Sequence, residues 1–171
     1  RGFDSKALRK AYLRYCLDMI ERFDPDYMAY GIEVDLLAQN DPDQFDAFAK
    51  MAKRIYRKIK RRYPQLPVFP TFTLGQPFDF DERRAVMERL LPYSDILAIS
   101  TYPYLAAGVD GNPANIPDDW FTRLADIAGD KRVAIAETGY AAETLEFETL
   151  DWTIPGRPSW QKRYLKTLLR D

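Results

Sequence analysis

The chain has 171 residues, with 25 basic and 26 acidic side chains and a formal net charge of −1. This length is typical of one domain, and the balanced charge gives no general reason to bind nucleic acid or a membrane surface. The absence of histidine and the presence of a single cysteine exclude an internal disulfide and a Ser-His-Asp triad, and they remove most zinc sites. We therefore predict no metal and no cofactor, and we expect carboxylates, tyrosines or lysines to transfer protons.

The first residues are not typical of a natural N-terminus. The chain starts with Arg-Gly-Phe-Asp, without an initiator Met or an apolar signal segment, and no apolar run approaches the roughly 20 residues of a membrane span. We expect the sequence to be an excerpt of a longer protein.

The first predicted helix begins after Ser5, a good N-cap residue, and ends near Phe23. Its apolar side chains follow at spacings of three and four residues. Cys16 lies beside this stripe, so we interpret it as a buried packing residue rather than a reactive thiol.

After an Asp-Pro-Asp turn, residues 27–32 are predicted to form a strand buried on both faces, because apolar residues do not alternate with polar ones. Glu33 stands at the C-terminal end of this strand.

A long amphipathic helix is predicted from about Pro42 to the residue before Pro64. The densest basic run of the chain, residues 50–62, lies on this helix without interleaved aromatic residues, so we interpret it as a solvent-exposed face rather than a nucleic-acid site. Asp35, Asp41 and Asp43 lack the further ligands and the glycine of a calcium loop, and we interpret them as acids at helix starts.

The rest of the chain continues the alternation of strands and helices. Strands are predicted at 67–74, 95–102 and 132–137, and helices at 82–91, around Trp120 to a C-cap at Gly129, and from Pro158 onward. A loop of about twenty residues that contains Trp152 separates the last strand from the last helix. The predicted order is αβαβαβαβα, with four strands and five helices.

This alternation predicts an α/β fold with a parallel sheet and right-handed crossovers. The four strands begin about 35 residues apart on average, close to the roughly 31 residues per unit of a ~250-residue eight-stranded barrel. A doubly wound open sheet has the same rhythm but more often carries a glycine-rich phosphate turn, which this sequence lacks. We predict one domain over residues 1–171, a partial (β/α)₈ TIM barrel with four parallel strands.

Two of the four strands end in a glutamate, Glu33 and Glu137. In a barrel, side chains at the C-terminal strand ends converge on one mouth, where catalytic residues are found. A pair of carboxylates in such a mouth suggests glycoside hydrolysis, and a separation of about 5 Å would be the retaining arrangement.

Three strand-end motifs resemble those of clan A glycoside hydrolases, and most closely the galactanase-like members of family 53. They are Tyr-Gly-Ile-Glu-Val-Asp at 30–35, Ile-Ser-Thr-Tyr-Pro-Tyr at 99–104 and Ile-Ala-Glu-Thr-Gly-Tyr at 135–140. The resemblance implies that the chain covers strands four to seven of the barrel, from helix three to helix seven. It also implies that Glu33 is the acid/base, that Glu137 is the nucleophile and that Tyr102 hydrogen-bonds the nucleophile.

The resemblance further implies a β-linked polysaccharide as substrate, a secreted or periplasmic location, and either the missing barrel half or an edge-covering partner. We predict no nucleic-acid or membrane partner. Candidate substrate-binding side chains lie at strand ends and in the loops that follow: Thr71, Gln76, Tyr104, Tyr140 and Trp152. The tyrosines are also compatible with packing at the rim, and Trp152 with packing of its own loop.

One position departs from the family pattern. Family members usually carry Asn immediately before the acid/base, where it hydrogen-bonds the sugar 2-hydroxyl, whereas this chain has Ile32. The sequence therefore also allows a non-catalytic carbohydrate-binding or scaffold barrel descended from such an enzyme. A third alternative is an unrelated barrel enzyme that uses a lysine or carboxylate base.

Overall fold

The computed structural model describes residues 2–75 and 80–170. Within these ranges the helices are α1 (Lys6–Phe23), α2 (Val34–Asn40), α3 (Pro42–Arg62), α4 (Phe80–Leu90), α5 (Ala125–Ala128) and α6 (Pro158–Leu168). The strands are β1 (Met28–Gly31), β2 (Val68–Leu74), β3 (Ile96–Thr101), β4 (Arg132–Thr138), β5 (Leu145–Phe147) and β6 (Trp152–Ile154). No helix in the described ranges is both long and apolar enough to cross a membrane.

The main sheet contains β1, β2, β3 and β4 in that order, and every neighbouring pair is parallel. The predicted α/β class and the four parallel strands are thus confirmed. Strands β5 and β6 form a separate antiparallel pair in the loop between β4 and α6.

The helices cover one face of the sheet. The larger core joins one set of strand side chains, including Phe72, Leu97 and Ile99, to helix side chains such as Ile55 and Met87. The opposite face carries a small cluster of Phe69, Ile96 and Ala98 with Ala29 and Ala134 against it. Sequential strand order with the helices in one layer means that the chain winds in one direction, whereas a doubly wound sheet reverses and places helices on both faces.

Local signals in the sequence account for the starts of α1 and α3. The Ser5 side chain accepts a hydrogen bond from the Leu8 amide, and α1 ends at Phe23 as predicted. The Asp41 carboxylate caps α3 by accepting from the Gln44 amide at 3.0 Å. Cys16 is 1% exposed, and burial raises its pKa to about 11, which agrees with a packing role.

Three elements differ from the prediction of five helices and a long irregular loop. The helix predicted from around Trp120 to Gly129 is shorter, since α5 covers only Ala125–Ala128 and follows a 3₁₀ turn at Thr122–Leu124. Helix α2 begins directly after Glu33, which makes six helices in the described ranges rather than five. Its seven residues are too few to show a helical repeat in the sequence, although Val34 is buried and Leu37 packs against the larger core. The loop after β4 contains the short β5–β6 pair, which has only three residues in each strand.

Candidate active site

A bulge in β4 brings Glu137 opposite Ser100. Ile135 pairs with Ile99, but the next pair is Glu137 with Ser100, so Ala136 is the extra residue in β4. Because side chains alternate along a strand, a regular β4 would place Ala136 opposite Ser100 and turn Glu137 toward the helix face. The bulge therefore orients Glu137 toward the helix-free face of the sheet, as bulges beside binding sites often do.

Tyr102, which directly follows β3, donates a hydrogen bond from its hydroxyl to the Glu137 Oε1 atom. This hydrogen bond to a carboxylate is the main reason that the pKa of Tyr102 is raised to about 12, with burial and the Glu137 charge as smaller causes. The phenol stays protonated at neutral pH, so it holds the exposed Glu137 carboxylate in one orientation.

Glu33 lies at the junction of β1 and α2 in a left-handed conformation, with φ 48° and ψ 49°. Its amide donates to the Thr71 hydroxyl on β2 at 2.9 Å. Burial is the largest influence on the Glu33 carboxyl and raises its pKa; the neighbouring carboxylates of Glu137 and Asp35 raise it further, while Ser100 and Arg83 lower it. A raised pKa favours a protonated carboxyl, which is the form that donates a proton.

Ser100 connects the two glutamates. Its Cα is paired with that of Glu137, and its hydroxyl comes close enough to the Glu33 carboxylate to lower the Glu33 pKa. Within residues 2–75 and 80–170 this buried hydroxyl makes no contact of full hydrogen-bond geometry, so we interpret it as approaching Glu33 without being aligned for a strong bond. The Glu137 charge also acts on Glu33 and raises its pKa.

A buried ion pair lies beside Glu33, and neither of its two residues is among the site residues predicted from the sequence. Asp35 accepts from the Thr73 amide at 2.9 Å and from the Thr73 hydroxyl at 2.5 Å. Arg83 on α4 donates to the same carboxylate at 3.1 Å, and both charged side chains are about 4% exposed or less. Asp35 is thus at a helix start, as predicted, but it is buried and paired. The sequence signal was available, since Asp35 follows Glu33 by two residues, but its partner is 48 positions away.

The predicted substrate-binding residues occupy different environments. Thr71 binds the Glu33 amide, and Tyr104 packs edge-on against Tyr102 and Tyr140, with ring centroids 6.1 and 5.4 Å apart. Tyr140 is 6% exposed and donates to the Gly111 carbonyl at 2.8 Å, an arrangement typical of packing. Trp152 is 45% exposed and stacks on Phe147 within the β5–β6 pair.

Trp152 makes no ring contact or hydrogen bond to Glu33, Tyr102 or Glu137 within the part of the chain that the structure describes. Gln76 lies outside the described residues. In that same part of the chain, no three acidic or cysteine side chains are grouped closely enough to hold a metal ion.

A cavity of about 440 Å³ opens where β2 ends and in the segment that follows β3. The residues that line this cavity include Leu74, Gly75, Ala106, Val109 and Trp120. The volume lies within the range of small-molecule sites. The cavity is at the same C-terminal end of the strands as the glutamate pair.

Comparison with known proteins shows similarity of fold. No family model matches the chain, and no curated protein matches its sequence. The crystal structure of the beta-glycosidase BGL167 superposes with a TM-score of 0.62 at 17% sequence identity, over 98% of this chain and 54% of that one. The chain therefore has a glycosidase-like α/β fold and spans about half the length of the structure that it matches.

Proposed function

We propose that this chain carries the active site of a retaining glycoside hydrolase, built on strands four to seven of a (β/α)₈ barrel. The observation that supports the proposal best is the convergence of Glu33 and Glu137 at Ser100, together with the Tyr102 hydrogen bond to Glu137. Sequential strand order, helices on one face and a glycosidase as structural neighbour are consistent with a barrel segment.

In the proposed reaction, a Glu137 oxygen attacks the anomeric carbon while the glycosidic bond breaks and Glu33 gives its proton to the leaving oxygen. The product of this step is a glycosyl ester of Glu137. Water then attacks the same carbon, Glu33 takes the water proton, and Glu137 leaves as a carboxylate. The configuration at the anomeric carbon is retained after two inversions.

The electrostatics of Glu33 fit these alternating roles. In the free site, burial and the Glu137 charge raise the pKa of Glu33, which favours the acid form that the first step requires. Esterification of Glu137 would remove its charge, so the pKa of Glu33 would fall and its carboxylate could act as the base of the second step. Tyr102 would orient Glu137 for attack.

The proposed barrel needs more strands than the sheet contains. In the described residues β1 pairs only with β2, and β4 pairs only with β3. Val133 and Ile135 on β4 are 43% and 36% exposed. Because four strands cannot close an eight-stranded barrel, we propose that the remaining barrel half or an edge-covering partner completes the sheet.

The proposed substrate is a β-linked polysaccharide of the kind that galactanase-like enzymes degrade, with a secreted or periplasmic setting. Tyr104 and Trp152 retain exposed ring surface on which a sugar face could stack. Thr71 would act indirectly by holding the Glu33 amide.

Ile32 favours a second candidate, a carbohydrate-binding or scaffold barrel without hydrolytic activity. Its side chain is 62% exposed at the residue before Glu33, where an apolar group cannot hydrogen-bond a sugar hydroxyl. Ile32→Asn separates the candidates: a large gain in hydrolysis supports a weakened enzyme, whereas unchanged binding without hydrolysis supports the scaffold.

The decisive experiment uses azide with Glu33→Ala and Glu137→Ala on an aryl β-glycoside panel and β-galactan. In Glu33→Ala, azide needs no general base and attacks the glycosyl-enzyme, so the expected product is a β-glycosyl azide. In Glu137→Ala, azide occupies the place of the lost carboxylate and attacks the substrate directly, which gives the α-glycosyl azide. The anomeric configuration is read by NMR.

Glu146→Ala, a change at an exposed β5 residue, is the matched control and should retain full activity without azide. Hydrolysis that persists unchanged in Glu137→Gln would contradict the proposal and favour an unrelated barrel enzyme, because the retaining mechanism cannot proceed without its nucleophile.

A further inference from the structure

Glu33 occupies a backbone conformation that its surroundings must maintain. A non-glycine residue with φ 48° is strained, and such a conformation persists only where neighbouring contacts select it. In the structure two contacts are available, one at Glu33 itself and one two residues later. The Glu33 amide donates to Thr71, and Asp35 binds Thr73.

In both of the elements that these two contacts join, the contacting residues are two positions apart. Thr71 and Thr73 are two residues apart on β2, so their side chains emerge on the same face of the strand. Glu33 and Asp35 are two residues apart at the start of α2. The start of α2 is therefore attached to the end of β2 at two points, with Glu33 at the first and Asp35 at the second.

Arg83 adds a third element, helix α4, to this attachment. One of its guanidinium nitrogens donates to the Asp35 carboxylate at 3.1 Å and to the Thr73 carbonyl at 2.6 Å, and it also contacts the Thr73 hydroxyl. Arg83 also interacts electrostatically with Glu33. Helices α2 and α4 and strand β2 thus meet at a single buried charge pair.

Stability alone is a poor explanation for this pair. Burying two charges carries a desolvation cost that their attraction often fails to exceed, and apolar replacements of similar size are often neutral or stabilising. The position of the pair also matters, because it adjoins Glu33, a strand-end carboxylate whose pKa is raised by burial. A role in the neighbouring site accounts for both observations.

We propose that Asp35, Arg83 and Thr73 are positioning residues that hold the backbone of Glu33 in its left-handed conformation and keep a cation beside its carboxylate. This inference rests on the proposed function, in which Glu33 is the acid/base. Thr73 and Asp35 would supply the geometry, and Arg83 would supply the charge. None of the three needs to touch the substrate.

The side chains that shift the pKa of Glu33 lie on four packed elements. Glu137 on β4 and Asp35 on α2 raise its pKa, while Arg83 on α4 and the Ser100 hydroxyl on β3 lower it. Loss of the cation should therefore leave Glu33 protonated to a higher pH. In a retaining enzyme the basic limb of the pH profile of kcat/KM reports the acid/base, so this limb should move upward in pH.

The test measures Glu33 directly by ¹³C NMR titration of labelled glutamate carboxyls, with Glu33→Gln identifying the resonance. Arg83→Met is expected to raise the titration midpoint of Glu33, and Arg83→Lys, which keeps a cation, to restore it at least in part. Arg84→Met is the matched control, because Arg84 is the next residue of α4 and pairs with Glu88 on the exposed surface. Its midpoint should equal that of the unchanged protein.

Thr73→Val separates geometry from charge, since it removes the hydroxyl contact to Asp35 and leaves both charges in place. We expect kcat to fall about tenfold or more through misplacement of Glu33, with KM and the basic limb nearly unchanged. Thr73→Ser, which keeps the hydroxyl, should retain most of the activity. A merely structural role would lower the melting temperature without this division of effects.

The outcomes distinguish this inference from the proposed function. An unchanged Glu33 midpoint in folded Arg83→Met overturns the positioning role, and so do kinetics of Thr73→Val that equal those of the unchanged protein. If Arg83→Met does not fold, Thr73→Val decides the matter, with Thr73→Ser as its matched control. A shifted Glu33 midpoint in a protein that hydrolyses no glycoside supports the placement of charge and overturns the proposed function.

Discussion

Ser100 on β3 is paired with Glu137 on β4, and its buried hydroxyl faces the carboxylate of Glu33 at the end of β1. The strand between them, β2, contributes the Thr71 hydroxyl that holds the Glu33 amide. Four consecutive strands thus contribute to one small region at their C-terminal ends, and the glutamate pair depends on the register of all four.

Replacing Ser100 with Ala should raise the pKa of Glu33, because the serine hydroxyl lowers it. The basic limb of kcat/KM should move to higher pH, and the ¹³C titration of Glu33 should shift in the same direction. The free energy of unfolding should change by less than about 1 kcal/mol, since the hydroxyl has no full hydrogen bond to lose. Ser159→Ala, at an exposed residue of α6, should change neither quantity, and a Ser100→Ala protein with an unshifted Glu33 would contradict the arrangement described.

Replacing Glu137 with Gln should lower the pKa of Tyr102 from about 12 toward the ordinary value of 10.0. The reason is that the largest cause of the shift is a hydrogen bond to a charged carboxylate, and an amide acceptor has no charge to oppose tyrosinate formation. Absorbance or NMR titration of the tyrosines would show one group moving to lower pH. Tyr102→Phe identifies that group by removing it, and an unaltered titration in Glu137→Gln would show that the two side chains do not interact.

Asp95 should stabilise the protein more at neutral pH than in acid. It accepts from the Tyr56 hydroxyl at 2.7 Å, from the Val68 amide at 2.8 Å and from Lys60 at 2.9 Å. Burial by itself raises the Asp95 pKa, but these partners outweigh burial and lower it. A lowered pKa in the folded state means that the contribution is present above the unfolded pKa of about 3.9 and is lost as the pH falls through the folded value.

The matching experiment for Asp95 is urea unfolding of Asp95→Asn across pH. We expect a loss of about 2 kcal/mol at pH 7 that shrinks below about pH 4, because hydrogen bonds to a charged acceptor are replaced by weaker ones. Asp130→Asn, at an exposed loop position, serves as control. A loss that is independent of pH would assign the effect to packing rather than to the charge.

Gly31→Ala should have two effects, a loss of stability and a displacement of Glu33. A Cβ at Gly31 would lie 2.8 Å from the Val34 side chain and 2.9 Å from the Phe48 ring, which is too close for either to remain in place. We expect a loss of about 2 kcal/mol in the free energy of unfolding from this overpacking, with a reduced kcat because Glu33 is two residues away.

Phe48→Leu makes room for the added methyl group of Gly31→Ala. The double variant should therefore lose less than the sum of the single losses, by at least about 0.5 kcal/mol in a thermodynamic cycle. Strict additivity would mean that the Phe48 ring does not limit the space at Gly31.

Much of the fold could be predicted from local pattern. Buried strands that lack polar alternation, Ser5 and Asp41 as caps and the proline that begins α6 all act over a few residues, and the structure has these elements within one or two residues of the predicted bounds. Helix α2 was not predicted because its seven residues make only about two helical turns. Strands β5 and β6 were not predicted because three residues each are too few to show strand alternation.

Local pattern is therefore sufficient for the alternation of strands and helices and for a glutamate at two strand ends. The orientation of those two glutamates, and the side chains that surround them, depend instead on tertiary packing. A strand pattern does not specify register, so the bulge at Ala136 that turns Glu137 toward Ser100 arises from pairing with β3. Likewise, the pairing of Asp35 with Arg83 joins residues far apart in the chain, which only the packing of α2 and α4 against β2 brings within hydrogen-bond distance.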